Sequence, residues 1–240
     1  MNKEEFYKEF EEKISQLNLE LSSKQLEEFY KYMKLLQEWN EKINLTAIIE
    51  DNEILLKHFI DSLTIMPYIK ENDKIIDVGT GAGFPGIPLK IFSENTDITL
   101  MDSLNKRIIF LNEVIKELSL DKIKAVHARA EEFAVNKIHR ENYDVVVSRA
   151  VAGLNTLLEY MLPFVKVNGV CICMKGPNIQ EEIKESKRAL GILGGQIEKI
   201  DKICLPDSDI ERNIIIVKKV KNTPKQYPRK AGKPSKEPIM

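Results

Sequence analysis

The residues best suited to chemistry form a glycine-rich stretch from Asp77 to Gly86 (DVGTGAGFPG). It directly follows residues 74–78 (KIIDV), an apolar run that is typical of a β-strand. Loops at the carboxyl ends of such strands bind nucleotides and related cofactors in open α/β sheets. Gly81, Gly83 and Gly86 match the dinucleotide-binding pattern G-x-G-x-x-G. The stretch from Asp77 to Gly83 also matches D-x-G-x-G-x-G, which is typical of S-adenosylmethionine enzymes.

Two prolines in the stretch favour the second kind of cofactor. Pro85 and Pro88 stand where a helix would begin, and each removes a backbone N–H donor that a pyrophosphate needs. S-adenosylmethionine has no phosphate, and its ammonium and sulfonium charges would be attracted by the carboxylate of Asp77. Glycines allow the backbone to approach an adenosyl group closely. We therefore predict S-adenosyl-L-methionine as the cofactor, held by Asp77 and by the loop glycines Gly79, Gly81 and Gly83.

Acidic residues follow the next two strand-like runs. Asp102 ends the second run, where a carboxylate can accept hydrogen bonds from both ribose hydroxyls, although it could equally cap a helix. The pair Ala130–Glu131 follows the third run, where adenine would lie. Glu131 could instead stabilise the first turn of a helix, because acidic side chains favour that position. For both carboxylates the two interpretations stay open.

Composition excludes several other classes of protein. No apolar run approaches the roughly 18 residues that span a bilayer, and the amino terminus has no apolar signal-peptide segment, so we expect a cytoplasmic protein. The three cysteines are too few and too badly spaced for a disulfide framework. The three histidines are scattered, so we predict no metal site.

The net charge of −1 gives no hint of a nucleic-acid partner, but the charge is unevenly distributed. Residues 1–58 are acidic in balance, whereas residues 221–240 contain six Lys or Arg side chains and only one acidic one, Glu237. This basic tail could meet phosphate, or it could be a solvated terminus. A third possibility is that Tyr227 and the prolines pack it against the core. We expect deletion of residues 222–240 to weaken nucleic-acid binding and to leave cofactor affinity unchanged.

The hydrophobic pattern divides the chain into three segments. Residues 1–70 read as an N-terminal helical cap, with apolar stripes at helical spacing. Residues 71–220 alternate strand-like and helical runs and end in two strands joined by a link too short for a helix, so those two should pair antiparallel. Residues 221–240 form a basic, proline-rich and non-helical tail. The predicted fold is α/β: a Rossmann-like, seven-stranded, mostly parallel sheet with one antiparallel strand, as in class I S-adenosylmethionine-dependent methyltransferases.

Several motifs in their order along the chain resemble the bacterial small-subunit rRNA guanine-N7 methyltransferases, also called the glucose-inhibited division protein B family. The resemblance covers nearly the whole chain. Its motifs are Trp39–Thr46, His58–Leu63, Gly81–Leu89, Lys106–Arg107 with Phe110–Leu111, Ser148–Val151, Lys175–Gly176 and Tyr227–Lys230. One departure is visible, since the family loop usually reads G-S-G-A-G and Thr80 here replaces the serine while keeping a hydroxyl.

The resemblance implies that Gly79, Phe84, Ala130–Glu131 and Arg149 contact the cofactor. It also implies methylation of one guanine N7 in 16S rRNA, on free RNA or on the small ribosomal subunit, and we expect a monomer. Two other hypotheses are a methyltransferase acting on another substrate and a dinucleotide-binding oxidoreductase or binding module.

The residues themselves bear on which atom could be methylated. Guanine N7 has a lone pair and no proton, so in-line transfer needs no general base and depends on positioning and electrostatics. Adenine amino methylation would favour an Asn/Asp-Pro-Pro-aromatic turn where this chain has Ser148–Val151, and cytosine C5 methylation needs a cysteine nucleophile on a loop. We assign Arg149 to cofactor and base positioning and Lys175 to RNA, as the two catalytic candidates. His58 and Asp61 read as a packing pair that ties the helical cap to the core.

Overall fold

The computed structural model describes residues 1–240. Its centre is a seven-stranded sheet in the order β3-β2-β1-β4-β5-β7-β6. The strands are β1 Lys74–Val78, β2 Asp97–Asp102, β3 Ile123–His127, β4 Tyr143–Arg149, β5 Val165–Lys175, β6 Gly195–Cys204 and β7 Glu211–Lys219. The pairs among β1 to β5 are parallel, and β7 is antiparallel to both β5 and β6. The predicted Rossmann-like sheet of class I methyltransferases is confirmed.

Helices cover both faces of the sheet, as the alternation in the sequence requires. The helices are α1 Lys3–Ser15, α2 Ser23–Ile43, α3 Asp51–Ile54, a π-helix Leu55–Ile60, α4 Asp61–Leu63, a 3₁₀ turn Met66–Tyr68, α5 Gly86–Phe92, α6 Asn105–Glu117, α7 Ala130–Phe133, α8 Leu154–Met161, α9 Gln180–Leu193 and α10 Lys233–Lys236. None has the length and hydropathy needed to cross a bilayer.

The amino-terminal helices pack on one face of the sheet. Ser22 caps α2 through a reciprocal pair of bonds with Gln25, as the sequence predicts. Aromatic side chains from α1 and α2 meet Phe59 of the π-helix, and the same hydrophobic cluster continues to sheet residues such as Ile75. The helical segment and this sheet face therefore share one core, and the boundary between them at residue 70 stays a prediction.

The other face is covered by α8, α9 and the carboxy-terminal tail. The tail is not wholly non-helical, because residues 233–236 form the short helix α10. Pro234 is accommodated at its start, where a missing N–H costs no hydrogen bond. Pro234 and Ile239 are buried, so the tail is packed against the core instead of lying free in solvent.

Candidate active site

The topology creates a groove where the strand order reverses. β1 lies between β2 and β4, so the connections on its two sides run in opposite directions and leave a crevice at the carboxyl ends of the strands. Two adjoining cavities fill this crevice. The Glu131 cavity, of about 240 Å³, is lined among others by Asp102, Ala130 and Glu131. The Arg149 cavity, of about 380 Å³, is lined among others by Phe84, Arg107 and Arg149. Gly79, Asp102, Ser103 and Val151 border both.

The glycine loop presents bare backbone to the groove. Gly79 and Gly81 have φ angles of 73° and 62°, a region that side chains disfavour. A Cβ on Gly79 would also lie 2.7 Å from Cγ2 of Val151. At Gly81 no atom stands within 4 Å of the position that a Cβ would take. The two glycines therefore shape the loop and leave open space beside it.

Asp77 supports the loop from beneath. Its Oδ2 accepts hydrogen bonds from the Thr80 hydroxyl at 2.7 Å and from the Gly86 amide at 2.9 Å, while Oδ1 has no partner. The carboxyl is fully buried, and this burial raises its pKa to about 6 despite those two bonds. Neither Asp77 nor Gly83 is among the residues that line the two cavities. A direct contact of Asp77 with a cofactor stays a prediction; its observed contacts are with the loop.

The start of α5 has no free donors for a pyrophosphate. The Gly86 amide is bound by Asp77, and the Ile87 amide donates to the Gly83 carbonyl at 2.8 Å. Pro85 and Pro88 have no N–H to offer. Since a dinucleotide relies on these amides, the observed hydrogen bonds disfavour that cofactor more strongly than the two prolines alone.

Asp102, at the end of β2, organises the junction between the two cavities. Its Oδ2 accepts from the Gly81 amide at 2.9 Å and from Nη1 of Arg107 at 3.0 Å, and Oδ1 accepts from the Leu104 amide at 2.9 Å. The carboxylate thus contacts the residue before α6, which has no side-chain cap, and it also lines the groove, so the ribose contact stays a prediction. Three donors leave space for about one more among the four lone-pair sites of a carboxylate.

The pair Ala130–Glu131 opens α7 and lies in the Glu131 cavity. Oε1 of Glu131 accepts from the Gly232 amide at 2.9 Å, whereas Oε2 has no partner in the protein. Glu131 therefore carries one free acceptor in a cavity that Asp102 also borders. Carboxylates in these two positions suit the hydroxyl and amino groups of a nucleoside.

Arg149, at the end of β4, is tied to the amino-terminal helices. Nη1 donates to Oδ2 of Asp61 at 3.0 Å, and Nη2 donates to Nδ1 of His58 at 3.0 Å. Arg212 donates to the other carboxylate oxygen of Asp61 at 3.1 Å. Phe84 lies beneath this cluster, stacked on the His58 ring at 4.3 Å and facing the Arg149 guanidinium at 5.0 Å. His58 and Asp61 thus contact the candidate residue Arg149 directly, beyond the packing role read from the sequence.

Lys175 lies outside both cavities. Its ammonium donates to Oε2 of Glu182 at 2.7 Å and to the Ala152 carbonyl, and the residue is 8% exposed. Glu182 also accepts from the Leu154 amide at 2.7 Å. These bonds hold the loop that places Val151 against Gly79. An RNA contact by Lys175 stays a prediction, and it would require breaking this partly buried ion pair.

Sequence reasoning missed several residues that border the groove. Thr46 and His58 line the Arg149 cavity and are bonded to each other at 3.0 Å. Both belong to motifs that are recognisable in the sequence, but nothing in the sequence indicates that these motifs lie beside the ends of the strands. Tyr160, Gly232 and Ser235 line the Glu131 cavity. No sequence signal placed the tail at this cavity, because its docking depends on contacts with distant residues.

Comparisons with known proteins identify the family to which the chain is similar. Residues 25–214 match the GidB family model, described as rRNA small subunit methyltransferase G. A protein of Acetivibrio thermocellus named ribosomal RNA small subunit methyltransferase G is 57% identical over 229 residues, covering 95% of this chain and 94% of the relative. A protein of the same name from Clostridium novyi is 49% identical, and the alignment covers 100% of both chains.

Solved structures of much lower identity share the fold. A TehB-like SAM-dependent methyltransferase from Corynebacterium glutamicum aligns with a TM-score of 0.52 and 16% identity, covering 79% of this chain and 98% of that chain. M. jannaschii TYW2, solved in complex with AdoMet, aligns with a TM-score of 0.52 and 18% identity, covering 66% and 74%. Both support the class I methyltransferase architecture.

Proposed function

The chain belongs to the GidB family, rRNA small subunit methyltransferase G, and from that premise we propose that it transfers a methyl group from S-adenosyl-L-methionine to N7 of one guanine in small-subunit (16S) ribosomal RNA. The observation that carries the proposal is the groove at the strand-order reversal, where the bare loop of Gly79 and Gly81, the carboxylates of Asp102 and Glu131, and Arg149 meet. An enzyme with this substrate works where ribosomes assemble, in the cytoplasm.

The residues present fit the proposed cofactor. The backbone at Gly81 borders open space that a Cβ would partly fill. Glu131 has a carboxylate oxygen without a partner in the protein. Asp102 and Glu131 would hold the adenosine end, and Gly79, Phe84 and Arg149 would border the methionine end. When bound, S-adenosylmethionine supplies an electrophilic methyl group on a positively charged sulfur. The protein then has to position a nucleophile in line with that methyl group and to exclude water.

The Arg149 cavity suits a base whose reacting atom carries no proton. His58 is neutral: an arginine side chain only donates, so Nδ1 must be the acceptor, and Nε2–H faces the Thr46 hydroxyl. Burial and the charge of Arg149 lower the pKa of His58 to about 3. Asp102 already accepts three donors. No side chain of this cavity is therefore a free general base, which supports guanine N7 over an amino nitrogen.

The cysteines do not supply a nucleophile for methylation at carbon. Cys171 and Cys173 lie inside β5 and are fully buried, and burial raises the pKa of the Cys173 thiol to about 12. Cys204 lies at the end of β6, which is the edge strand of the sheet and is separated from the groove at β1 and β4 by β5 and β7. Cytosine C5 chemistry is therefore disfavoured, since it needs an accessible thiolate.

The proposal is tested in two steps. Calorimetric titration of the pure protein should show binding of S-adenosylmethionine and no binding of NAD at the same concentrations. Incubation with tritiated S-adenosylmethionine should then label small-subunit ribosomal RNA, either free or within isolated small subunits, while large-subunit RNA stays unlabelled. Binding of NAD, or labelling of small-subunit RNA in neither form in the presence of bound cofactor, would contradict the proposal.

A further inference from the structure

The carboxy-terminal tail follows a fixed path along α8. The Arg229 guanidinium pairs with the Glu159 carboxylate, with Nη2 at 2.6 Å and Nε at 2.9 Å, and the Arg229 amide donates to the same group at 2.8 Å. Glu159 is fully buried. Farther along, the Pro234 carbonyl accepts from the Thr156 hydroxyl at 3.2 Å. A buried carboxylate matched by three donors fixes the path of the chain strongly.

This path brings the tail to the Glu131 cavity. Gly232 turns the chain with a φ of 79°, and its amide donates to Oε1 of Glu131 at 2.9 Å. Gly232 and Ser235 border the cavity on one side, and Tyr160 of α8 borders it beside them. Asp102, at the end of β2, and Ala130, at the start of α7, also border it. The tail therefore supplies part of the lining of this cavity.

One carboxylate joins the tail to the proposed cofactor subsite. Glu131 uses Oε1 for the Gly232 amide and keeps Oε2 free. A donor group on a bound nucleoside would satisfy the second oxygen, and both interactions favour the same orientation of the side chain. Burial and the neighbouring charge of Glu131 raise the pKa of Tyr160, so its hydroxyl stays protonated at this edge of the cavity.

Building on the proposed function, we propose that tail residues Gly232–Ser235, together with Tyr160, form the outer wall of the subsite for the adenosine end of the cofactor, so that cofactor binding and tail docking stabilise each other. Coupling of this kind is reciprocal: the factor by which the docked tail improves cofactor affinity equals the factor by which the cofactor stabilises the docked tail. The sequence alone leads us to expect that deletion of the tail leaves cofactor affinity unchanged, whereas under this proposal the deletion weakens it.

The first test measures affinity. The dissociation constant of S-adenosylhomocysteine is measured by calorimetry for the full chain, for a chain ending at residue 231, and for Lys236→Ala, an exposed tail residue outside the cavity. We expect the truncation to weaken binding about tenfold or more and Lys236→Ala to leave it unchanged. The chain ending at residue 231 keeps the pair of Arg229 and Glu159, and its melting temperature without ligand reports whether it folds.

The second test needs no variant and decides the matter even if the truncated chain does not fold. Hydrogen exchange of the Lys233, Lys236 and Glu237 amides, which are bonded within the tail, is followed with and without saturating S-adenosylhomocysteine. We expect their exchange to slow severalfold when the ligand is bound. Unchanged exchange in a protein that does bind the ligand would overturn the tail proposal alone, whereas failure of the full chain to bind it would overturn the proposed function as well.

Discussion

Nη2 of Arg149 donates a hydrogen bond to Nδ1 of His58 at 3.0 Å. The bond joins the end of β4 to the π-helix of the amino-terminal segment, and it fixes His58 as a neutral imidazole whose Nε2–H faces Thr46. Protonation of His58 would place a second positive charge against the guanidinium. The consequence is a defined dependence of stability on pH.

We predict that His58 makes the fold sensitive to acid. Its pKa is about 3 in the fold and 6.5 ordinarily, so between these values only the unfolded chain takes up the proton, and stability falls as the pH falls. The change is about 1.4 kcal/mol per pH unit at most. Urea unfolding of the protein and of His58→Gln between about pH 7 and 5 measures this difference.

Asp77 changes stability with pH in the opposite direction to His58. The parent protein alone would therefore report the sum of the two effects, and the variant His58→Gln is needed to separate them. Its pKa is raised from 3.8 to about 6, so the fold binds a proton that the unfolded chain has released, and this contribution is lost as the pH rises through about 6. Because Asp77 is present in both proteins, its effect cancels in the comparison. The exposed residue His127 supplies the control, His127→Gln. If His58→Gln and the parent lose stability in parallel, His58 is not the neutral group described above.

The ion pair of Arg149 and Asp61 should be costly to break. Asp61 is 2% exposed and would keep only Arg212 as a partner in Arg149→Met. Removing one partner of a buried pair costs about 3 kcal/mol, and we expect cofactor affinity to fall as well, since Phe84 loses the group above its ring. Chemical denaturation and calorimetry measure the two effects. Arg188→Met, at a surface arginine bonded to the Met240 carbonyl at 3.2 Å, is the control; equal unfolding free energies in the two variants would refute the argument.

Gly81→Ala should separate cofactor binding from folding. The φ of 62° costs an alanine about 1 kcal/mol. The new methyl group would occupy the open space through which the cofactor has to come close to the backbone of the loop. We expect at least a tenfold loss of S-adenosylmethionine affinity with the fold retained. Gly191 also has open space but lies within α9 without a positive φ, so Gly191→Ala should raise stability by about 1 kcal/mol and leave affinity unchanged. Similar affinities for both variants would exclude the loop as the cofactor site.

Lys175 and Arg129 should respond differently to salt. Lys175 is paired with Glu182, whereas Arg129 is exposed, borders the groove and has no side-chain hydrogen bond. Loss of one phosphate contact lowers the slope of log affinity against log salt by about one. We expect that reduction for Arg129→Ala with ribosomal RNA. Lys175→Met should leave the slope unchanged and weaken cofactor binding through the Val151 loop; the reverse pattern would restore the RNA role read from the sequence.

The sequence predicted the type of sheet because local patterns specify strands. The apolar run at residues 74–78 coincides with β1, and the short link between the last two strands already implies that they pair antiparallel. The contacts of charged residues could not be predicted in the same way, because they join residues that are far apart in the sequence. Glu159 and Arg229 are 70 positions apart, and Arg149 and Asp61 are 88 apart. For the same reason the sequence left open whether the tail is solvated or packed, and in the structure it is packed against the core beside the groove.

The most direct test of the proposed reaction identifies the methylated atom. Small-subunit ribosomal RNA from cells lacking the enzyme is incubated with the protein and S-adenosylmethionine, treated with borohydride and aniline, and read by primer extension. This chemistry cleaves RNA at 7-methylguanosine. We predict one new stop that requires both protein and cofactor, with tritium from labelled cofactor recovered as 7-methylguanosine. Label recovered in any other nucleoside, with no new stop, would contradict methylation at guanine N7.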